Sequence, residues 1–402
     1  MDFYTSPAFF IVMSALAVPA AILGLSGRRI APYGFVASCI MLVLLFSASG
    51  RGLAAFLLFT ALATASAFAV LREWTSGGKR AGVWWCALAA TIAPLVIYKC
   101  TAAWEGGVLG FIGISYLTFK AVQVLIEVKD GLIKDMRLVD YLYFLTFFAT
   151  FTSGPIDRSR RFWADSQEPL PRSEYADLLA RGILLLLVGA VMQLVVATIV
   201  HSALDPTNGS AAAGLLSINA IPGPAFVRTI ARAYGYALYL FFDFAGYSYM
   251  AMGVSYCFGV RTPRNFNAPF IATDLKDFWN RWHITLSTWL RDFVFMRFVR
   301  TATKRKLFSS RVQTACAGYV VNMALMGAWH GLTVDYLAYG LYHGLLLAGT
   351  ELYQKRCAFH KRSRKKTWYK VLSWFITLQL VVIGFALFSG QIHHIVERLI
   401  NG

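Results

Sequence analysis

Apolar residues occur in this chain as long blocks separated by short polar gaps, with little of the one-sided striping of a water-facing helix. A helix that crosses a bilayer needs roughly 20 mostly apolar residues. Blocks of that kind fall at 7–25, 33–48, 53–71, 83–98, 108–128, 139–151, 176–203, 225–244, 246–260, 312–330, 334–353 and 371–388. Several are short or interrupted by Gly and Pro, so the pattern predicts an all-α polytopic membrane protein of about nine to eleven spans. Self-similar periods, low-complexity linkers and hydrophilic stretches long enough for a soluble domain are all missing. One domain over 1–402 is expected, with N-terminal spans over 1–105 and C-terminal spans with a basic loop over 345–402. The first block lacks a basic lead-in and a convincing cleavage site, and reads as a first span.

One segment breaks the pattern. Residues 273–300, TDLKDFWNRWHITLSTWLRDFVFMRFVR, carry too many charges for a lipid-exposed span and too many aromatics for a free loop. On a single helix, Leu275, Phe278, Trp279, Trp282, Leu286, Trp289 and Phe293 share one face, and Lys276, Asn280, His283, Ser287 and Arg291 form a polar stripe. Such a helix either lies at the interface as an anchor or enters the membrane with its stripe lining a cavity. An anchor favours Lys and Arg on its wet face. The Asn, His and Ser of this stripe are groups that position and deprotonate a hydroxyl.

Composition narrows the class further. Apolar residues make up 57% of the chain and charged ones 14%, against about 25% charged in soluble domains. An ordinary soluble enzyme is therefore excluded. The net charge of +18 would suit nucleic acid in a soluble chain, but here it is first a topology signal, because cytoplasmic loops collect Lys and Arg. The loops 300–311 and 354–370 are strongly basic and predicted cytoplasmic, which places the turn 331–333 on the other side or deep in the membrane. The loop 205–224, with Asn208, Gly209 and Ser210 and no basic residue, is predicted extracytoplasmic.

Candidate chemistry is sparse. His330 ends an otherwise apolar block, and an ionisable group there is by default a functional hypothesis. Two readings fit: a general base with an ordinary pKa near 6.5, or a structural histidine bonded to a carbonyl. The Trp329–His330 and Trp282–His283 pairs favour the first. His343, mid-block before Gly344, reads as packing. The turn SGPIDR contains Asp157 and Arg158, which suit a local ion pair. The six cysteines are scattered, with no CxxC or Cys/His cluster, and read as small buried packing residues with no disulfide framework or metal site. Nucleophile elbow, P-loop and dinucleotide fingerprint are likewise missing from the sequence.

The stretch 266–295, FNAPFIATDLKDFWNRWHITLSTWLRDFVF, followed by GAWHGLTVDYLAYGLYHG at 327–344, resembles the membrane-bound O-acyltransferase family through its FW-RWH-LS-W-RD pattern and its membrane histidine. TFTSGPIDRSRRF, 150–162, is similar to the members that esterify teichoic acids with D-alanine. The resemblance implies a ring of helices around a thin centre, a core over 106–344, and a cell-membrane (plasma or inner) multi-pass location. It also implies a catalytic role for His330, with His283 as the second polar position and Asn280 beside it. Ser287, Trp279, Trp282, Arg291, Trp329, Asp157 and Arg158 are then candidates for binding or orienting substrate.

The implied donor is D-alanine on the 4'-phosphopantetheine of a small acidic carrier protein, with no tightly bound cofactor. The implied acceptor is a hydroxyl of an envelope polymer, and a small membrane partner offering a catalytic tyrosine fits the same subgroup. Met296, Arg297, Val299, Arg300, Lys304 and Arg305 are the expected carrier-docking residues, although a plain positive-inside loop has the same composition. The competing expectations are an O-acetyltransferase for an exported polysaccharide, a transporter, and a non-catalytic scaffold of an envelope-modification complex.

Overall fold

A computed structural model of the chain describes residues 3–105, 108–204 and 217–393. The described residues form helices connected by turns, with no strand among them. Five helices are long and apolar enough to cross a membrane: Pro7–Leu25, Gly50–Thr75, Ala81–Ala102, Arg172–Leu204 and Thr367–Phe388. Two shorter apolar helices, Ala31–Phe46 and Leu138–Thr150, accompany them. The expected extracytoplasmic residues Asn208, Gly209 and Ser210 lie outside the described residues.

The chain divides into two compact units. The first comprises 1–190 with 247–264. Its helices are α1 (Pro7–Leu25), α2 (Ala31–Phe46), α3 (Gly50–Thr75), α4 (Ala81–Glu105), α5 (Ile114–Lys129), α6 (Leu138–Thr146), α7 (Ser159–Gln167) and α8 (Arg172–Ala190). α5 is buried on every side although it is not apolar on every side: Tyr116 to Val128 is buried without a break, Lys120, Gln123 and Glu127 included. Lys120 offsets its burial by donating from Nζ to the Phe144 carbonyl at 3.1 Å and to Thr150 Oγ1 at 3.2 Å.

The second unit comprises 191–246 with 265–402. The block 176–203 continues past α8 through a π-helical turn, Val191–Ala197, into α9 (Thr198–Leu204). The next element corrects the block pattern. Residues 225–244 and 246–260, read as two spans, belong to one helix, α10 (Ala225–Cys257). Gly246 weakens a helix by only about 1 kcal/mol relative to Ala, too little to end one held by neighbours. Then follow α11 (Leu275–Trp279), α12 (Ile284–Leu290), α13 (Met296–Lys304), α14 (Arg311–His330), α15 (Val334–Arg356), α16 (Ala358–Ser363) and α17 (Thr367–Phe388).

The hairpin α14–α15 positions the most informative histidine. A Cβ on Gly327 would run into the Tyr336 carbonyl and the Gly340 backbone, and one on Gly340 into the Met323 carbonyl. Small residues at these two positions let the helix backbones approach closely, the device by which membrane helices pack without a hydrophobic drive between them.

Cysteine burial departs from expectation. Cys257 is buried, but Cys39, Cys86 and Cys100 are exposed. An apolar run in a membrane helix points outward into hydrocarbon as readily as inward, so apolar neighbours in sequence do not imply burial within the protein.

Candidate functional site

The segment 273–300 is not the single helix its periodicity suggests. It is α11, a break at Asn280–His283, then α12, a π-helical turn Arg291–Phe295 and α13. At the break His283 adopts φ 44° and ψ 49°, a left-handed conformation rare for non-glycine residues but enriched in His. A helix start leaves orphan backbone N–H groups, and His283 offers no side-chain cap to α12. Asn265 supplies the acceptors from elsewhere in the chain. Its backbone carbonyl accepts from Ile284 N–H at 2.9 Å, and its Oδ1 accepts from Thr285 N–H at 3.2 Å and Thr285 Oγ1 at 2.8 Å.

The same Oδ1 lies 3.1 Å from His283 Nδ1. An oxygen that already accepts from an amide has no hydrogen to offer, so Nδ1 carries the proton and donates it. Nε2 of this tautomer is left with its lone pair, and it has no hydrogen-bond partner among the described residues. His283 is 3% exposed, flanked by the Phe244 ring at 4.7 Å and the Trp329 ring at 6.4 Å. Nε2 of this tautomer is an acceptor.

His330 is the last residue of α14. Its ring stands 4.6 Å from Trp329, 5.0 Å from Phe388 and 6.1 Å from Tyr336. It is half-buried. Trp329 therefore lies against both imidazoles, making one aromatic cluster of three residues that joins His283 to His330, 47 positions later. His343 is fully buried among Trp279, Tyr339 and Tyr342, as a packing residue would be.

The rest of the expected stripe disperses. Asn280 is exposed, whereas His283 is buried. Asn265, which sequence reasoning missed, takes the partner role. Nothing in RTPRNFNAPF distinguishes Asn265 from Asn267 without the fold. Lys276 is ion-paired to Glu351 and donates to Gln354 Oε1 at 2.9 Å, so it ties α11 to α15. Ser287 donates to the Trp282 carbonyl at 3.2 Å. Arg291 is exposed and pairs with Asp292 at 2.9 Å. Trp279 and Trp282 are buried, Trp282 stacked on Phe278 at 5.7 Å and close to Phe385 at 4.8 Å.

Asp157 and Arg158 belong to the first unit. Asp157 is 1% exposed. Its carboxylate is gripped by Arg161, whose Nε donates to Oδ1 at 2.8 Å, and Arg158 adds its backbone N–H at 2.6 Å. Asp157 is also ion-paired with Arg161, four residues along, where the geometry of α7 brings the guanidinium back over the turn. Burial pushes the Asp157 carboxyl above its ordinary range and Arg161 pulls it back down. Arg161 also reaches Asp165 at 2.8 Å, and Asp165 accepts from Arg261 N–H at 2.8 Å, so this turn is anchored as a network.

Of the expected docking residues, Met296, Arg300, Lys304 and Arg305 are exposed and Arg297 is half-buried. Val299 is half-buried, and its side chain lies close over Gly318 of α14.

The sequence profile of MBOAT, the membrane-bound O-acyltransferase family, matches residues 51–389. A Bacillus subtilis (strain 168) protein named teichoic acid D-alanyltransferase is 39% identical, covering 97% of this chain and 98% of that protein. A Streptococcus thermophilus protein of the same name is 35% identical, covering 96% of this chain and 94% of that one. A probable alginate O-acetylase of Pseudomonas syringae pv. tomato is 31% identical, over 72% of this chain and 50% of that protein.

Proposed function

The chain belongs to the membrane-bound O-acyltransferase family and is a membrane-bound acyltransferase, and from that premise we propose that it transfers D-alanine to a hydroxyl of a teichoic-acid-type envelope polymer. The similarity over nearly full length to proteins named for that reaction supports this acceptor and acyl group. The proposed donor is a thioester on the phosphopantetheine of a small acidic carrier protein at the cytoplasmic face. The protein is proposed to be a multi-pass protein of the cell membrane, with α14 and α15 among its further spans.

One observation carries the mechanism: His283 and His330 flank the same indole, Trp329, with His283 Nε2 free to accept. His330 takes the proton of the acceptor hydroxyl as its oxygen attacks the thioester carbonyl. The C–S bond breaks, the new ester C–O bond forms, and the proton passes to the departing thiolate. Buried His283 accepts from an N–H or O–H of either substrate and orients it. A general base of this kind contributes about 10²- to 10⁴-fold, and positioning supplies much of the rest. A transfer relayed through a tyrosine of a small membrane partner uses the same base, with the phenol as first acceptor.

The test measures base-labile D-alanyl and acetyl esters on the envelope polymer of a deletion strain complemented with wild type or His330→Ala. Loss of D-alanyl ester in the variant, at equal protein level, is the expected result. Unchanged D-alanyl ester would overturn the mechanism. Loss of acetate with D-alanine untouched would reassign the acyl group.

A further inference from the structure

The basic stretch 354–370 plays no part in the proposed chemistry, yet it forms the mouth of a cavity of the second unit, about 930 Å³ between α15 and α17. Charge is unequally distributed there. Lys355, Arg364 and Lys370 line the mouth, and none of the three has a carboxylate partner among the described residues. The two acids in the lining are already engaged, Glu351 by Lys276 and Asp274 by Gln354 Nε2 at 3.0 Å. The mouth also carries hydroxyls: Tyr369 OH lies 2.8 Å from His360 Nδ1 and donates to Tyr353 OH at 3.1 Å. It is thus built to receive an anion with several acceptor oxygens.

Below the mouth leucines and isoleucine dominate the walls, with the hydroxyls of Thr350, Ser373 and Thr377 among them. Leu372, Ile376 and Leu380 follow one another at helical spacing down α17, facing Leu345 and Leu346 of α15. Leu345 is 56% exposed and Ile376 47%, so the cavity opens sideways and not into a sealed core. α17 is one of the candidate membrane spans and begins at Thr367, which sets Lys370 at the depth of lipid headgroups. From Lys370 to Leu380 the helix rises about 15 Å, half of a hydrocarbon core of roughly 30 Å and so the length of one leaflet. At Gly349, on the wall between the two ends, an added Cβ would meet nothing within 4 Å.

From this gradient we infer that the cavity between α15 and α17 is a binding site for an anionic glycerophospholipid of the surrounding leaflet. The phosphate lies among Lys355, Arg364 and Lys370, and an acyl chain runs along the Leu372–Ile376–Leu380 stripe past Gly349. Basic recesses between membrane helices on the cytoplasmic side are a recurrent form of headgroup site. The occupant is a membrane lipid and not a free anion, because an inorganic phosphate has no use for a 15 Å apolar wall. This site is independent of the acyl-transfer reading, and its test does not use transfer activity.

The experiment purifies the full chain in detergent and measures, by native mass spectrometry and thermal stability, its retention of dioleoyl-phosphatidylglycerol, dioleoyl-phosphatidylcholine and sodium phosphate. Phosphatidylglycerol is expected to be retained and to raise the melting temperature, with the zwitterionic lipid and phosphate well behind. Replacing Lys355, Arg364 or Lys370 by Gln is expected to weaken retention about fivefold each. Gly349→Phe keeps every charge and fills the wall, and is expected to abolish lipid retention while leaving the unliganded melting temperature near wild type. Equal retention of the two lipids, equal stabilisation by phosphate alone, or wild-type retention in Gly349→Phe would each overturn the inference.

Discussion

Asn265 Oδ1 accepts the proton of His283 Nδ1 at 3.1 Å while holding the first turn of α12 through Thr285. One side chain therefore sets both the tautomer of the buried imidazole and the start of the helix that carries it. A change at Asn265 acts on chemistry and on folding through this one shared oxygen, so comparing an apolar with an acidic replacement separates the two.

Asn265→Ala removes the oxygen that accepts from His283 Nδ1, Thr285 N–H and Thr285 Oγ1. A loss of about 1–3 kcal/mol is expected for removing a buried acceptor, seen as a lower melting temperature in detergent. Asn265→Asp keeps the acceptors and adds a negative charge, which favours the protonated imidazole. Its acid limb in a transfer-rate pH profile is expected to move to higher pH. An unshifted profile with normal rate would show that His283 does not participate.

His330 is half-buried and ends its helix, so replacing it should cost activity more than stability. His330→Gln is expected to lower carrier-to-acceptor transfer by about 10²- to 10⁴-fold, with melting temperature and expression retained. Reconstituted transfer from a carrier loaded with labelled D-alanine reads this directly. Trp329→Ala, which opens the space beside both rings, should lower the rate as well.

Gly327 and Gly349 make opposite predictions from the same residue type. Gly327→Val forces the α14–α15 backbones apart at Gly340 and is expected to reduce both folded yield and activity. Gly349→Ala meets open space in a helix and should be neutral or stabilising by about 1 kcal/mol. Thermal unfolding of the two variants side by side is the check.

Asp157→Ala leaves Arg161 without its buried carboxylate. Because Arg161 is part-exposed and keeps Asp165, a destabilisation of about 1–3 kcal/mol is expected. In the double variant with Arg161→Met part of that loss should return, and a coupling energy near zero in the cycle would show that the pair does not hold this turn.

Charge reversal at exposed Arg300 and Lys304 tests carrier docking. Arg300→Glu with Lys304→Glu is expected to slow association with an acidic carrier and to flatten its salt dependence. Binding kinetics measured over a range of ionic strength decide it; an unchanged salt slope would remove α13 from the docking surface.

Much of this protein was legible in the order of its residues. Block hydropathy established a helical membrane protein, since a span must be apolar over its whole length whatever it packs against. The scarcity of ionisable groups in those blocks singled out His330 and His283, and the run FWNRWHITLSTW carried the family resemblance. Periodicity identified most of the buried face of 273–300, since six of its seven residues are buried and only Phe293 is not, but it placed buried His283 on the opposite stripe.

The tertiary structure decided what local pattern does not encode. It broke that segment at His283, where acceptors from Asn265, 18 residues earlier, outweigh the local preference to continue a helix. It joined two blocks across Gly246 in one helix and turned three cysteines outward. It also brought Arg161 onto Asp157 and gathered Lys355, Arg364 and Lys370 over a largely apolar wall. Each outcome depends on which distant group meets a donor, a charge or a void, and sequence distance carries no record of that meeting.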